Sequence, residues 1–262
     1  MNENKIIFLL GGHDLEMVEI ISMLKGEGFV DGVKLPENHL LYFDNNLVWG
    51  AKWSNYDTVL RDQKYSSYII YGIELTKDIE LPPNCKIIDH HNELPAEPTS
   101  IEQIATILEV TLDRKQLLVA ANDHGYKPAM RAAGATEQEI QEIRMLDREA
   151  QGVTAEEEKI AAQSITDARS INEVTIIFTT LTKFSPIVDR LDADKLIVYN
   201  SNALCYYGIG AKKLGEKYLH NLVEAKKAYY GGGENGFFGV VANSFTETEL
   251  NNQVIPVIIK HN

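Results

Sequence analysis

Four short apolar runs punctuate the first third of the chain: Lys5–Leu10, Leu40–Phe43, Ser67–Tyr71 and Lys86–Ile88. Each is bounded by turn or polar residues, the pattern of parallel strands buried on both faces. Between the first two runs, Leu15, Val18, Ile21 and Leu24 recur at helical spacing until Gly26 and Gly28 stop them. This alternation predicts an α/β fold with a doubly wound, mostly parallel sheet. From Ser100 to about Ala168 the strand signals cease. Three capping boxes mark helix starts there, Ser100 with Gln103, Thr136 with Glu139 and Thr154 with Glu157. The charge-rich stretch Glu137–Glu158 reads as a solvated helix face. Strand signals return at Val174–Thr180, Lys195–Tyr199, Leu204–Tyr207, Phe237–Ala242 and Val254–Ile259, with one long helix, Ala211–Tyr229, among them. The expected organisation is a first domain at 1–150, a helical connector at 151–172, and a smaller mixed-sheet α/β domain at 173–262.

A length of 262 residues suits two modest domains, and 44% apolar with 24% charged residues excludes disordered and fibrous classes. The charge balance matters more. With 25 basic against 38 acidic residues the net charge is −13, so no long duplex nucleic acid and no membrane surface is expected as a partner. Cations bound locally would still let such a chain handle a small phosphorylated substrate. The two cysteines, Cys85 and Cys205, form no CxxC, which argues against a disulfide framework or a thiolate zinc site and fits a reducing compartment. No apolar run approaches the ~20 residues of a membrane helix, and a cytoplasmic location is expected. The segment from Lys183 to Tyr230 goes against the general charge, with eight basic and five acidic residues. Lys212, Lys213, Lys226 and Lys227 there read either as a solvated helix face or as a basic wall for the phosphate end of a substrate. Apolar strands of the second domain suggest a possible homodimer.

Chemistry concentrates where strands end. Asp89-His90-His91 directly follows the run Lys86–Ile88, and ligand sites of open α/β sheets lie at such carboxyl ends. The first run leads to His13, Asp14 and Glu16. The third leads to Glu74, and an apolar stretch leads to Asn122-Asp123-His124-Gly125. Carboxylates gathered from four segments repel one another and raise each other's pKa unless cations intervene. Mixed carboxylate and imidazole ligands suit Mn²⁺, Mg²⁺ or Fe. The same residues also admit plainer roles: Asp14 and Glu16 as acids at a helix N-terminus, and Asp123 as a helix-end cap. No P-loop and no GxSxG elbow occurs. The stretch from Gly231 to Gly236 matches GxGxxG but follows a helix and opens a strand, the reverse of a dinucleotide fingerprint.

The stretch Ile87-Ile88-Asp89-His90-His91-Asn92, together with Asp14-Leu15-Glu16, Glu74, Asp123 and Gly231-Gly232-Gly233-Glu234-Asn235-Gly236, resembles the motifs of the DHH phosphoesterase superfamily. That superfamily comprises RecJ-like exonucleases, oligoribonucleases, cyclic-dinucleotide phosphodiesterases and manganese pyrophosphatases. The resemblance runs from Gly11 to Gly239 and implies a DHHA1-like second domain. It further implies a metal-dependent phosphoesterase, using Mn²⁺ or Mg²⁺, that acts on a small phosphorylated substrate or a short single-stranded oligonucleotide. One metal would take Glu16, Glu74, His90 and Asp123; a second would take Asp14 and share Glu74, with His13 as a further candidate. Asp89 would orient His90, and His91 would contact the substrate phosphate. Gly231, Gly232, Gly233, Asn235 and Gly236 would offer backbone N–H groups to an anion. The chain departs from the family pattern at Leu10 and Glu234, positions usually His, and at Glu16 and Glu74, usually Asp. These departures leave a second expectation, a catalytically weak relative acting as a nucleotide-binding regulatory module.

Overall fold

The computed structural model describes residues 5–34, 39–90, 98–191, 194–231 and 236–261. The chain divides into two units, Met1–Gly152 and Val153–Asn262.

Among the described residues, the first unit is built on the strands β1 (Ile6–Leu10), β2 (Val30–Asp31), β3 (Leu40–Phe43), β4 (Ile69–Ile73) and β5 (Cys85–Ile88). They pair in the order β2-β3-β1-β4-β5, every ladder parallel. The chain order reverses beside β1, which makes the carboxyl edge of β1 and β4 the natural crevice of the sheet. Among the described residues, the α-helices of this unit are α1 (Leu15–Gly26), the short α2 (Asp57–Leu60), α3 (Ser100–Leu108), α4 (Arg114–Ala132) and α5 (Glu137–Ala150). Strand side chains alternate between faces, and the core divides accordingly. Phe8, Leu10 and Ile73 pack with α1 and α3 residues such as Ile20 and Ile104. Ile7, Leu9 and Ile70 pack with Trp53 and Tyr56. Trp53 lies so close to β4 that a Cβ at Gly72 would fall inside its indole. The Tyr56 hydroxyl donates to the carbonyl of Leu10 at 2.5 Å, fixing the end of β1.

The second unit carries β6 (Arg169–Ile171), β7 (Val174–Phe178), β8 (Lys195–Tyr199), β9 (Leu204–Gly208), β10 (Ala228–Gly231) and β11 (Phe237–Val240). Their order is β10-β11-β9-β8-β7-β6, parallel only between β7 and β8. Its helices are α6 (Ala155–Thr166), α7 (Ser185–Val188), α8 (Ala211–Lys213), α9 (His220–Glu224), α10 (Glu247–Glu249) and α11 (Ile255–His261). α6 lies within the stretch read as a connector, and its Ala161 is buried with Ile177, Leu196 and Val198 of the sheet.

The structure corrects several expectations. Val254–Ile259 is helical, continuing a π-turn at Leu250–Val254 into α11. Leu250, Val254, Ile255 and Ile258 bury one helical stripe, and that packing outweighs the strand preference of the β-branched residues. The single helix expected over Ala211–Tyr229 is broken into α8, a π-turn at Leu214–Tyr218 and α9, and Ala228–Gly231 instead pairs as β10. The capping box of α3 uses Thr99 with Glu102 rather than Ser100 with Gln103. Those at Thr136 and Thr154 form as read. The charge-rich face of α5 is not wholly solvated, because Arg144, Asp147 and Arg148 are buried.

Candidate functional site

Glu16, Glu74, His90 and Asp123 each offer one ligand atom, and these four atoms lie within 4.8 Å of one another. Each comes from a different element. Glu16 is on the first turn of α1, which begins shortly past the end of β1. Glu74 follows the last residue of β4, and its amide donates to the carbonyl of Ile88 at 2.9 Å, bringing the ends of β4 and β5 together. His90 stands two residues beyond β5. Asp123 lies inside α4, just before a break in which Gly125 and Tyr126 leave helical geometry. Three of the four thus stand at the carboxyl edge of the parallel sheet.

Backbone conformation at this edge is unusual. Glu74 has φ +54°, in the left-handed region that a residue with a long side chain seldom occupies. Opposite it, Gly12 has φ +78°, and a Cβ there would stand 2.6 Å from Glu74 Oε2. The Gly11-Gly12 turn therefore makes room for the Glu74 carboxylate.

Burial and mutual repulsion govern the acids. Glu16 is 2% exposed. Its Oε1 accepts from the amide of Ile101 at 2.9 Å, while its Oε2 is buried with no hydrogen-bond donor on it. Burial first, then the charges of Asp123 and Glu74, hold the Glu16 carboxyl well above the usual range. Glu74 is raised by burial and by the charges of Asp14 and Asp123, with hydrogen bonding to Glu16 and then to Ser100 pulling the other way. For His90, burial disfavours the imidazolium, but the hydrogen bond from Nε2 to Asp123 Oδ2 and the charges of Asp123, Glu74 and Asp89 outweigh it, and the pKa rises. A buried carboxylate oxygen without a donor, among three acids that repel one another and one imidazole, fits a divalent cation bound by oxygen and nitrogen.

The other expected residues are placed differently. Asp14 is the N-cap of α1, its Oδ1 accepting from the amide of Met17 at 3.0 Å. It stands outside the group of four, and burial together with Asp123 and Asp147 pushes its pKa up to about 6. His13 is exposed and is not part of the group. Asp89 is half-buried, and its carbonyl accepts from Gln103 Nε2 at 3.1 Å. His91, Gly232, Gly233, Glu234 and Asn235 lie outside the described residues. Gly231 ends β10, and the Gly236 carbonyl accepts from the amide of Gly208 at 2.9 Å. Leu10 is fully buried in the core.

The residues that brace the site were not singled out in the sequence. Asp147 Oδ1 accepts from the amide of Leu15 at 3.2 Å, and Asp147 Oδ2 accepts from Arg144 at 2.6 Å. Arg144 also donates to Asn122 Oδ1 at 2.9 Å, beside Asp123. The pair thereby ties the start of α1 to the stretch of α4 that bears Asp123. The signal was available, since Ile140, Ile143, Arg144 and Asp147 share a helical stripe.

No family model and no curated protein matches the chain. Among solved structures, the DHH domain of a protein described as a member of a ribosomal-protein family superposes with a TM-score of 0.54 at 10% identity, covering 98% of this chain and 86% of that one. A pGpG-specific phosphodiesterase from Vibrio cholerae gives a TM-score of 0.49 at 10% identity, covering 98% and 99%. RecJ from Thermus thermophilus, in complex with Mn²⁺, gives 0.41 at 12% identity, covering 98% and 52%.

Proposed function

We propose that this chain, which has the fold of DHH-domain proteins, is a metal-dependent phosphoesterase hydrolysing a phosphodiester or phosphoanhydride of a small nucleotide or short oligonucleotide. The observation that carries the reading is the convergence of Glu16, Glu74, His90 and Asp123 at the carboxyl edge of the sheet, with Glu16 Oε2 buried and lacking a donor. Those four side chains would hold a divalent cation, Mn²⁺ being the first to test. A cation bound there supplies positive charge that offsets the acids and polarises a phosphoryl oxygen.

The chain's own groups have distinct tasks. Glu16 is fixed by the Ile101 amide, so its second oxygen faces the site in one orientation. Glu74 is held by backbone, with Gly12 against its carboxylate. His90 is oriented by Asp123, which keeps one ring nitrogen directed at the cluster. Asp14 caps α1 and adds negative charge at the rim. His91, next to His90 in sequence, is assigned to the substrate phosphate by the family resemblance.

The test is hydrolysis of a linear dinucleotide, a cyclic dinucleotide and pyrophosphate with added Mn²⁺, comparing the wild type with Glu16→Gln and Asp123→Asn. Loss of turnover by about 100-fold or more in both variants supports the reading, since changing even the outer partner of a metal ligand costs about 10–100-fold. Equal turnover in all three proteins overturns it. Multiple turnover by the wild type also separates this reading from that of a nucleotide-binding module without catalysis.

A further inference from the structure

A cavity of about 490 Å³ opens in the second unit, within the size range of small-molecule pockets. Its walls come from the start of β8, the turn after β9, and α8 with the π-turn that follows. Among the described residues, three lysines line it, Lys195, Lys212 and Lys213, with the acid Glu216. This local excess of positive charge runs against a chain of net charge −13. Glu216 neutralises little of it, for its carboxylate is 3.8 Å from Lys212 with both side chains about half exposed. Lys195 is different: its side chain is only 19% exposed, and Glu173 meets it at 3.4 Å from a solvated position.

The remaining walls are not charged in the same way. Ile209 lines the cavity with 52% of its surface exposed, an apolar face left to solvent. His261 also lines it, its ring stacked on Tyr218 with centroids 3.7 Å apart and planes 9° off parallel. A flat ring braced from behind and an exposed branched aliphatic side chain suit the face of a heterocycle. Clustered ammonium groups suit phosphate oxygens.

We propose that this cavity is a nucleotide site, with the lysines taking a phosphate chain and Ile209 with His261 taking the base. The site lies entirely within the second unit and does not depend on what the acidic cluster of the first unit does. It also divides the basic residues seen in the sequence. Lys212 and Lys213 line the cavity, whereas Lys227 lies over the ring of Phe245 and lines no part of it.

Binding of ADP to the full chain, measured calorimetrically in EDTA, tests the proposal, because the chelator removes any metal-dependent binding at the acidic cluster. Lys212→Gln with Lys213→Gln is expected to weaken ADP at least tenfold. Lys226→Gln with Lys227→Gln carries the same charge change away from the cavity and is expected to weaken it less than threefold. Asp123→Asn is expected to have no effect under these conditions. Pyrophosphate is expected to bind at least fivefold more weakly than ADP, since it lacks a base. The proposal is overturned if the wild type does not bind ADP at millimolar concentration, if both double variants lose affinity equally, or if pyrophosphate binds as tightly as ADP.

Discussion

The amide of Leu15, the first residue of α1, donates to Asp147 Oδ1 across 132 positions of sequence. A helix start leaves its first amides unpaired, and here a distant carboxylate accepts one of them. Asp147 is itself buried, at 4% exposure, and is paired with Arg144. Replacing it with alanine removes the acceptor of the Leu15 amide and takes the carboxylate from a buried guanidinium. Asp147→Ala is therefore expected to cost about 3 kcal/mol of stability. Urea unfolding checks this as a fall in midpoint at constant slope, with Asp147→Asn falling less because it keeps an acceptor.

Gly12 is the position where a single methyl group acts on the site. At φ +78° an alanine is strained by about 1–2 kcal/mol, and its Cβ would meet Glu74 Oε2. Gly12→Ala should weaken Mn²⁺ binding by tenfold or more, well beyond what its modest loss of melting temperature implies. Parallel metal titration and thermal unfolding separate the two effects; unchanged affinity would mean that Glu74 is no ligand.

Asp14 gives a pH prediction with a definite sign. Its pKa is about 6 in the folded chain against an ordinary 3.8, raised first by burial. A group raised on folding favours the native state at pH below its unfolded value, and that contribution is lost as pH climbs through the folded value. The metal-free wild type should therefore lose roughly 3 kcal/mol relative to Asp14→Asn between about pH 4 and pH 7. Asparagine preserves the N-cap, so the variant folds. Denaturant midpoints for both proteins across that range, in chelator, give the difference directly. A flat difference would mean that Asp14 titrates normally.

Divalent metal should protect the fold through the cluster and not elsewhere. With free Mn²⁺ at about a hundred times its dissociation constant, the native state gains about 2.7 kcal/mol. Differential scanning calorimetry should show this gain in the wild type and its disappearance in Asp123→Asn. Equal gains in both would place the metal at another site.

Four of the first unit's strands, β1, β3, β4 and β5, and the acids past β1 and β4, were legible because both signals are local, whereas the two-residue β2 carries no apolar run to mark it. A short apolar run and a polar residue just past it need no long-range information. Asp123 was legible as chemistry but not as structure: it sits inside α4 rather than after it, and the break at Gly125 and Tyr126 shows only in the backbone. Arg144 and Asp147 were passed over for a different reason, although they share a helical stripe with Ile140 and Ile143. Charged residues on a helix are usually solvated, and only tertiary packing buries these two. In Val254–Ile259, branched side chains suggested a strand, while the stripe Leu250, Val254, Ile255 and Ile258 already carried the helical period. Periodicity was the better guide there because the segment packs along one side only. The π-helical turn at Leu214–Tyr218 and the departure from helix at Leu219 left no comparable signal, since lysines and leucines there continue a regular helical pattern.

The close fit of Trp53 against Gly72 has a practical side. The chain has two tryptophans. Trp53 is fully buried against the strand that leads to Glu74, and its Nε1 has no hydrogen-bond partner, whereas Trp49 is 63% exposed. Their fluorescence is therefore separable: an aqueous quencher such as iodide silences Trp49 and spares Trp53. The emission that survives is an intrinsic optical gauge of the floor beneath the acidic cluster, readable without a label.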